Sequence, residues 1–301
     1  MFVGIAIGVL EVMGIWHWIA PSWCLPTLIF FMLLLTFCKI NPLELRLYTW
    51  HWILLAFQVV VSLLLFYLLR PIDIVLAQGV MLCVLMPSAT AAPIIAAKLG
   101  GSIKTLTSFT LLSSVSTAVL VPLIFPLITH VDTPFLQTFI LVLSRISPLL
   151  IAPFLIAWLI RVVWNIRVKD RPFVLPDSLA SLPFYLWVCT LTILMAKMTR
   201  DLFAYDGSWL VLTGMFVGAL ITCLVQFLFG KYIGTRFPSE ANEASVKETR
   251  ICAGQALGQK NTTLAIWMAA TYLHPISALA PAAYIIWQNL FNAWQLAKMR
   301  D

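Results

Sequence analysis

Ala256-Leu-Gly-Gln-Lys-Asn-Thr-Thr-Leu-Ala265 is a polar, glycine-containing interruption in a run that is otherwise apolar from Ile251 to Tyr272. In a lipid-embedded helix such a break frees backbone N–H and C=O groups that hydrocarbon cannot satisfy. It survives only where it is buried in protein or lines a cavity. A second interruption, Met86-Pro-Ser-Ala-Thr-Ala-Ala-Pro93, lies 170 residues earlier, from position 256 back to 86, and again divides an apolar run. Two interrupted helices in corresponding halves of a chain point to a secondary transporter built from inverted repeats, with its site at the breaks. The predicted helix breaks are Pro87, Pro93 and Gly258.

The composition agrees with a lipid environment. Hydrophobic residues make up 61% and charged residues 10% of the 301, with a mean hydropathy of +0.97; a soluble globular domain carries about 25% charged residues. This excludes a soluble enzyme or binding module. A helix needs roughly 20 apolar residues to cross about 30 Å of hydrocarbon, and hydropathy predicts ten spans: 2–20, 25–39, 49–69, 74–99, 105–129, 135–164, 179–199, 208–230, 248–272 and 276–296. The expected fold is all-α and polytopic, a single integral membrane domain over 1–301, with one repeat over about 1–130 and the other over about 135–296.

Charge supports ten spans. With both termini on one side, the other side carries only Arg70, Lys197 and Arg200 of the 19 basic residues, while Arg145 and Lys260 lie within spans. The remaining fourteen (19 − 3 − 2) fall on the first side, the asymmetry expected of a cytoplasmic face. The net charge of +7 therefore reflects topology, and no nucleic acid is implied. The N-terminus lacks a positively charged leader and a small-residue cleavage site, so the first span is expected to be retained. Cys24, Cys38, Cys83, Cys189, Cys223 and Cys252 lie in or beside apolar runs without metal-ligand spacing; they read as small buried side chains, with no transition-metal site.

Several residues can carry chemistry. Gln255, Gln259, Lys260, Asn261, Thr262 and Thr263 lie within nine residues, and their hard oxygens suit a small hard cation such as Na⁺. Asn261 and Thr262 can also cap the following half-helix, whose N–H groups favour an anion. Lys260 is the sharpest feature, since a lysine at the bilayer centre costs about 2.5–3.5 kcal/mol on insertion scales. Three roles are open to it: a built-in cation, a proton carrier or a substrate counter-ion. Thr110, Ser113, Ser114 and Thr117 share one helical face at i, i+3, i+4, i+7 spacing, and Gln58 in the third span answers to Gln226 in the eighth. Glu11 and Arg145 occupy equivalent places in the two halves and are expected to pair. His17, His51, His130 and His274 fall at span ends, as do Trp16, Trp18, Trp23, Trp50 and Trp52, which read as interfacial belts.

The contexts of the two breaks resemble the bile acid:sodium symporter family, as a divergent, bacterial-type member. The family's Pro-Gly-Gly-Thr-x-Ser-Asn crossover is matched in outline by Pro87-Ser-Ala-Thr-Ala-Ala-Pro93. A hydroxyl-rich span with Ser114-Val-Ser-Thr117, Pro122 and Pro126 follows. The family's Glu-x-x-x-Gln-Asn-Ser-Gly-Leu-Ala is matched by Gln255-x-x-x-Gln259-Lys-Asn261-Thr-Thr-Leu-Ala265, and the last span, from Pro275 through Pro281 to Trp287-Gln-Asn289, is also similar. The resemblance implies ten helices arranged as a panel and a core domain, and transport of organic anions with Na⁺.

Carried onto this chain, the resemblance implies an ion site using Gln58, Gln255 or Gln259 and hydroxyls among Thr110, Ser113, Ser114 and Thr117, and Lys260 is expected at the same site. Substrate contacts are expected from Ser88, Thr90, Asn261, Thr262, Thr263, His274 and Asn289. The chain departs from the pattern at Ala92-Pro93, which replace Ser-Asn, at Gln255 or Ala256, which replaces the acidic ligand, and at the inserted Lys260. The expected function is alternating-access transport of a small organic anion by Na⁺ symport in a bacterial inner membrane, with both termini cytoplasmic and no cofactor beyond Na⁺. The alternative is Na⁺-independent or H⁺-coupled transport with Lys260 replacing the ion. An intramembrane enzyme lacks a Gly-x-Ser-x-Gly, His-Glu-x-x-His or paired-carboxylate motif, and a non-transporting sensor lacks a soluble signalling domain.

Overall fold

Apolar runs become helices throughout the described residues, which in the computed structural model are 2–15, 20–40, 45–128, 134–168, 173, 175–176, 179 and 181–299. In chain order they are α1 (Phe2–Val12), α2 (Cys24–Cys38), α3 (Thr49–Leu69), α4 (Ile74–Leu85), α5 (Ala92–Lys98), α6 (Ile103–Ile128), α7 (Phe135–Arg167), α8 (Leu182–Phe203), α9 (Trp209–Arg236), α10 (Glu243–Gly258), α11 (Thr262–Tyr272), a 3₁₀ turn (Pro275–Ala278) and α12 (Leu279–Ala297). Polar caps fix several starts. Asp73 Oδ1 accepts from Leu76 N at 2.8 Å, Ser208 Oγ from Leu210 N at 3.1 Å and Asn242 Oδ1 from Ser245 N at 2.8 Å, each satisfying an N–H left free by the first turn.

Five helices, α3, α6, α7, α8 and α9, are long and apolar enough to cross a membrane; the chain is an α-helical integral membrane protein. The shorter apolar helices α1, α2 and α4, the divided pair α10–α11 and α12 complete what the sequence reads as spans. The expected span 74–99 is two helices, and so is 248–272. The span 2–20 gives a helix only to Val12, since Gly14 adopts a positive φ of 72°, a left-handed conformation that ends the helix. His17, His130, Trp16 and Trp18 lie outside the described residues.

Contacts divide the chain into two units, 1–44 with 115–204 and 45–114 with 205–301. In the first, α1 packs on α8 through Gly4 and Gly8. A Cβ at Gly8 would stand 2.7 Å from the Ala196 carbonyl oxygen, and one at Gly4 would collide with that of Thr192. This small-xxx-small stripe lets two backbones touch where lipid offers no hydrophobic drive between helices. One turn on, Glu11 meets Arg200, with Oε2 3.1 Å from Nε. The expected Glu11–Arg145 pair is therefore corrected: the glycine contact carries Glu11 to α8, while Arg145 is exposed on α7. Elsewhere in this unit Phe37 of α2 meets Phe154 of α7 edge to face, and an Arg161 guanidinium N–H donates to the Cys38 carbonyl at 3.0 Å.

The second unit holds two apolar clusters. Around α4, Val80 and Cys83 pack with Met215, Ala219 and Phe227 of α9 and Tyr284 of α12. The other joins Trp50 and Leu54 of α3 to Phe109 of α6 and Ala253 and Leu257 of α10. Trp50 and His51, expected at an interface, are instead fully buried. The His51 Nδ1 accepts from Tyr48 N at 3.0 Å, capping α3, and Trp50 stacks on Phe109. Trp23 and Trp52 are exposed. Cys189, expected to be buried, is exposed on α8.

Candidate functional site

The two interruptions lie in the second unit, and they pair with each other. Ala89 N donates to the Gln259 carbonyl and Asn261 N to the Pro87 carbonyl, both at 2.9 Å, so Ser88 and Lys260 oppose each other in an isolated antiparallel bridge. Each break thus supplies the backbone partners that lipid would deny the other. The flanking hydrogen bonds make Ser88 and Lys260 a non-hydrogen-bonded pair, the kind in which opposing Cα atoms approach to about 4.5 Å and side chains leave on one face.

Local chemistry explains each break. Pro87 pushes the preceding Met86 out of the helical region, to ψ 151°, and Pro93 sits in the first turn of α5, where its missing N–H is tolerated. On the other side Gln259 is extended, at φ −94° and ψ 113°, and Asn261 restarts the chain as the cap of α11, its Oδ1 accepting from Leu264 N at 3.2 Å. Gly258 does not end α10 through a left-handed φ. A Cβ there would enter the Phe227 ring, so its smallness serves the approach of α9.

Four sets of hydrogen bonds hold the crossing. Gln58 Nε2 donates to the Leu85 carbonyl at 2.6 Å, Ser113 Oγ donates to Gln58 Oε1 at 3.0 Å and Ser88 N donates to Ser113 Oγ at 3.2 Å. Lys260 N donates to Gln288 Oε1 at 3.0 Å, Gln259 Nε2 donates to Gln255 Oε1, and Gln255 Nε2 donates to Asn292 Oδ1 at 3.2 Å. Tyr284 donates its hydroxyl to the Gly258 carbonyl at 2.8 Å and accepts from Gln226 Nε2 at 3.0 Å; the same Nε2 lies 3.1 Å from the Cys83 carbonyl. Gln58 and Gln226 thus each hold a carbonyl of α4.

Two side chains at the bridge are left over. Lys260 is 1% exposed and Ser88 1%, yet Lys260 Nζ and Ser88 Oγ have no hydrogen-bond partner. Cys83 is the ionisable neighbour close enough to act on Lys260. The sole buried carboxylate among the described residues is Glu11, which is in the other unit and engaged by Arg200. An enclosed ammonium without counter-charge opposite an enclosed hydroxyl without a partner is an arrangement complementary to an anion.

Other expected site residues are placed differently. Thr110 and Ser114 donate back to the carbonyls of Leu106 at 3.0 Å and Thr110 at 2.8 Å within their own helix. Thr117 is buried and falls in the first unit. Thr90 is half-buried in the turn before α5, and Thr262 and Thr263 are buried in the first turn of α11. His274 is exposed and caps the 3₁₀ turn, its Nδ1 accepting from Ile276 N at 3.3 Å. The 11 residues of α11 separate it from the bridge by about 16 Å of helix. Asn289 is exposed on α12. The residues that face the crossing are instead Tyr284, Gln288 and Asn292, whose spacing of four was the signal that could have found them.

Fold and site together define a class: an α-helical membrane protein organised around two interrupted helices that cross and pair. No protein-family model and no curated protein matches the sequence.

Proposed function

We propose that this protein is a secondary transporter that moves a small organic anion by alternating access, with the crossing as its site and Lys260 as the fixed counter-ion. The observation that carries the proposal is the buried, unpartnered Lys260 ammonium opposite the unpartnered Ser88 hydroxyl. The ten-span inverted repeat belongs to the same reading. Taking each divided helix as one span, the first two spans of each half fall in the first unit. The next three fall in the second, apart from the second half of α6, which from Val115 on belongs to the first. This division supports the expected panel and core domains and a divergent membership of the bile acid:sodium symporter family, with both termini cytoplasmic.

Na⁺ symport has weaker support. The oxygen of Gln58 is engaged by Ser113, that of Gln255 by Gln259, and among the described residues of the unit no buried carboxylate offsets the charge of Lys260. An ammonium fixed where an ion would otherwise bind removes the need for one. The test is uptake of labelled mono- and dicarboxylates and sulfonates into reconstituted vesicles, with Na⁺ or with choline outside. Uptake in choline that Lys260→Met abolishes is the expected result. Uptake that requires Na⁺ and survives Lys260→Met would overturn the counter-ion role, and no uptake of any anion under either condition would overturn the transport reading.

A further inference from the structure

Away from the crossing, three helices of the second unit bring cations to one place. Lys231 of α9 holds its Nζ 5.2 Å from the centre of the Phe291 ring of α12. Lys298, the residue after α12, holds its Nζ 5.8 Å from the Trp294 ring. Arg250 of α10 and Lys298 both lie close enough to repel the Lys231 ammonium. None of the three has an ion-pair partner among the described residues. Like charges gathered without an ion pair oppose one another unless an anion sits among them.

The surroundings identify that anion. Phe291 and Trp294 lie side by side, their centroids 5.4 Å apart, and Trp294 is 54% exposed. Beside them α9 and α12 present Leu228, 60% exposed, and Leu290, 56% exposed. Cations, then aromatic rings, then an apolar flank repeat in order the phosphate, glycerol and acyl layers of a phospholipid. A free phosphate would use the cations alone, and a zwitterionic lipid would bring its own cation among them.

We infer that Lys231, Arg250 and Lys298 form a headgroup site for an anionic phospholipid, with Trp294 and the exposed leucines of α9 and α12 receiving the glycerol and acyl region. Basic pockets between membrane helices bind such headgroups through the same combination. The inference does not depend on the transport reading.

The test is the thermal midpoint of the purified full chain in detergent, titrated with phosphatidylglycerol, with phosphatidylcholine and with inorganic phosphate. Phosphatidylglycerol alone is expected to raise the midpoint. Replacing the two exposed cations together, Arg250→Gln with Lys298→Gln, should weaken its apparent affinity by about fivefold for each charge removed. Lys231→Gln should give the same loss singly, and Arg70→Gln, at the end of α3, should give none. Equal stabilisation by phosphatidylcholine, reproduction of the effect by phosphate, or undiminished affinity in the cation variants would overturn the site.

Discussion

Ser113 and Thr110 stand three residues apart on one buried face of α6, and the sequence offers them the same role. Their surroundings separate them. The Ser113 hydroxyl accepts from Ser88 N and donates to Gln58 Oε1, so its removal strands the buried Ser88 N–H in the wall of the crossing and takes one partner from Gln58. Such an orphan costs about 1–3 kcal/mol. The Thr110 hydroxyl only returns to the Leu106 carbonyl of its own helix, and losing it strands nothing. Ser113→Ala should therefore lower the thermal midpoint clearly, whereas Thr110→Ala should leave it nearly unchanged. Equal shifts in the two variants would show that the Gln58–Ser113–Ser88 chain does not brace the crossing. This distinction could not be read beforehand: residue type and helical face were legible, but the direction of a hydroxyl proton depends on what lies opposite.

At the scale of elements, the breaks were legible because proline, glycine and polar residues are conspicuous in apolar runs. That they pair with each other was not, since an antiparallel bridge between positions 88 and 260 leaves no periodic trace. The same holds for the packing of α9 on α10. Gly230 and Gly234 on one helix and Gly254 and Gly258 on the other are spaced by four, but only the structure shows them facing each other. They are not equivalent. A Cβ at Gly230 would collide with the Ala253 backbone carbonyl, while one at Gly254 would meet the flexible Lys231 stem, 2.7 Å from its Cγ. Alanine gains about 0.5–1 kcal/mol over glycine within a helix, which at Gly254 offsets part of moving the Lys231 side chain from near its root. Gly254→Ala should therefore cost less than Gly230→Ala. Gly230→Ala must push α10 away and should lose about 1–3 kcal/mol, the usual scale of overpacking. Thermal melts of the two variants in detergent compare them directly, and a Gly230→Ala protein as stable as the parent would mean that the helices do not approach this closely.

For the molecule as a whole, composition alone placed the chain in a membrane, because 61% hydrophobic and 10% charged residues cannot make a soluble surface. The pairing of Glu11 was misread from symmetry: equivalent positions in two halves need not be neighbours, and the Gly4–Gly8 contact, a packing feature, chose Arg200 instead. Lys260 was legible as an anomaly, and its meaning lies in the balance of the entire fold. An enclosed ammonium with no buried carboxylate among the described residues of its unit lowers global stability, since desolvation is uncompensated. Lys260→Met keeps the length and flexibility of the side chain and removes the charge. It should raise the thermal midpoint of the ligand-free protein while abolishing anion uptake, the trade expected where a destabilising group is retained for function. A small organic anion that binds the native state should stabilise the parent and leave the methionine variant unchanged. A lower midpoint for Lys260→Met without ligand would mean that the ammonium is already satisfied within the fold, and the site would then have to be sought elsewhere than at the crossing.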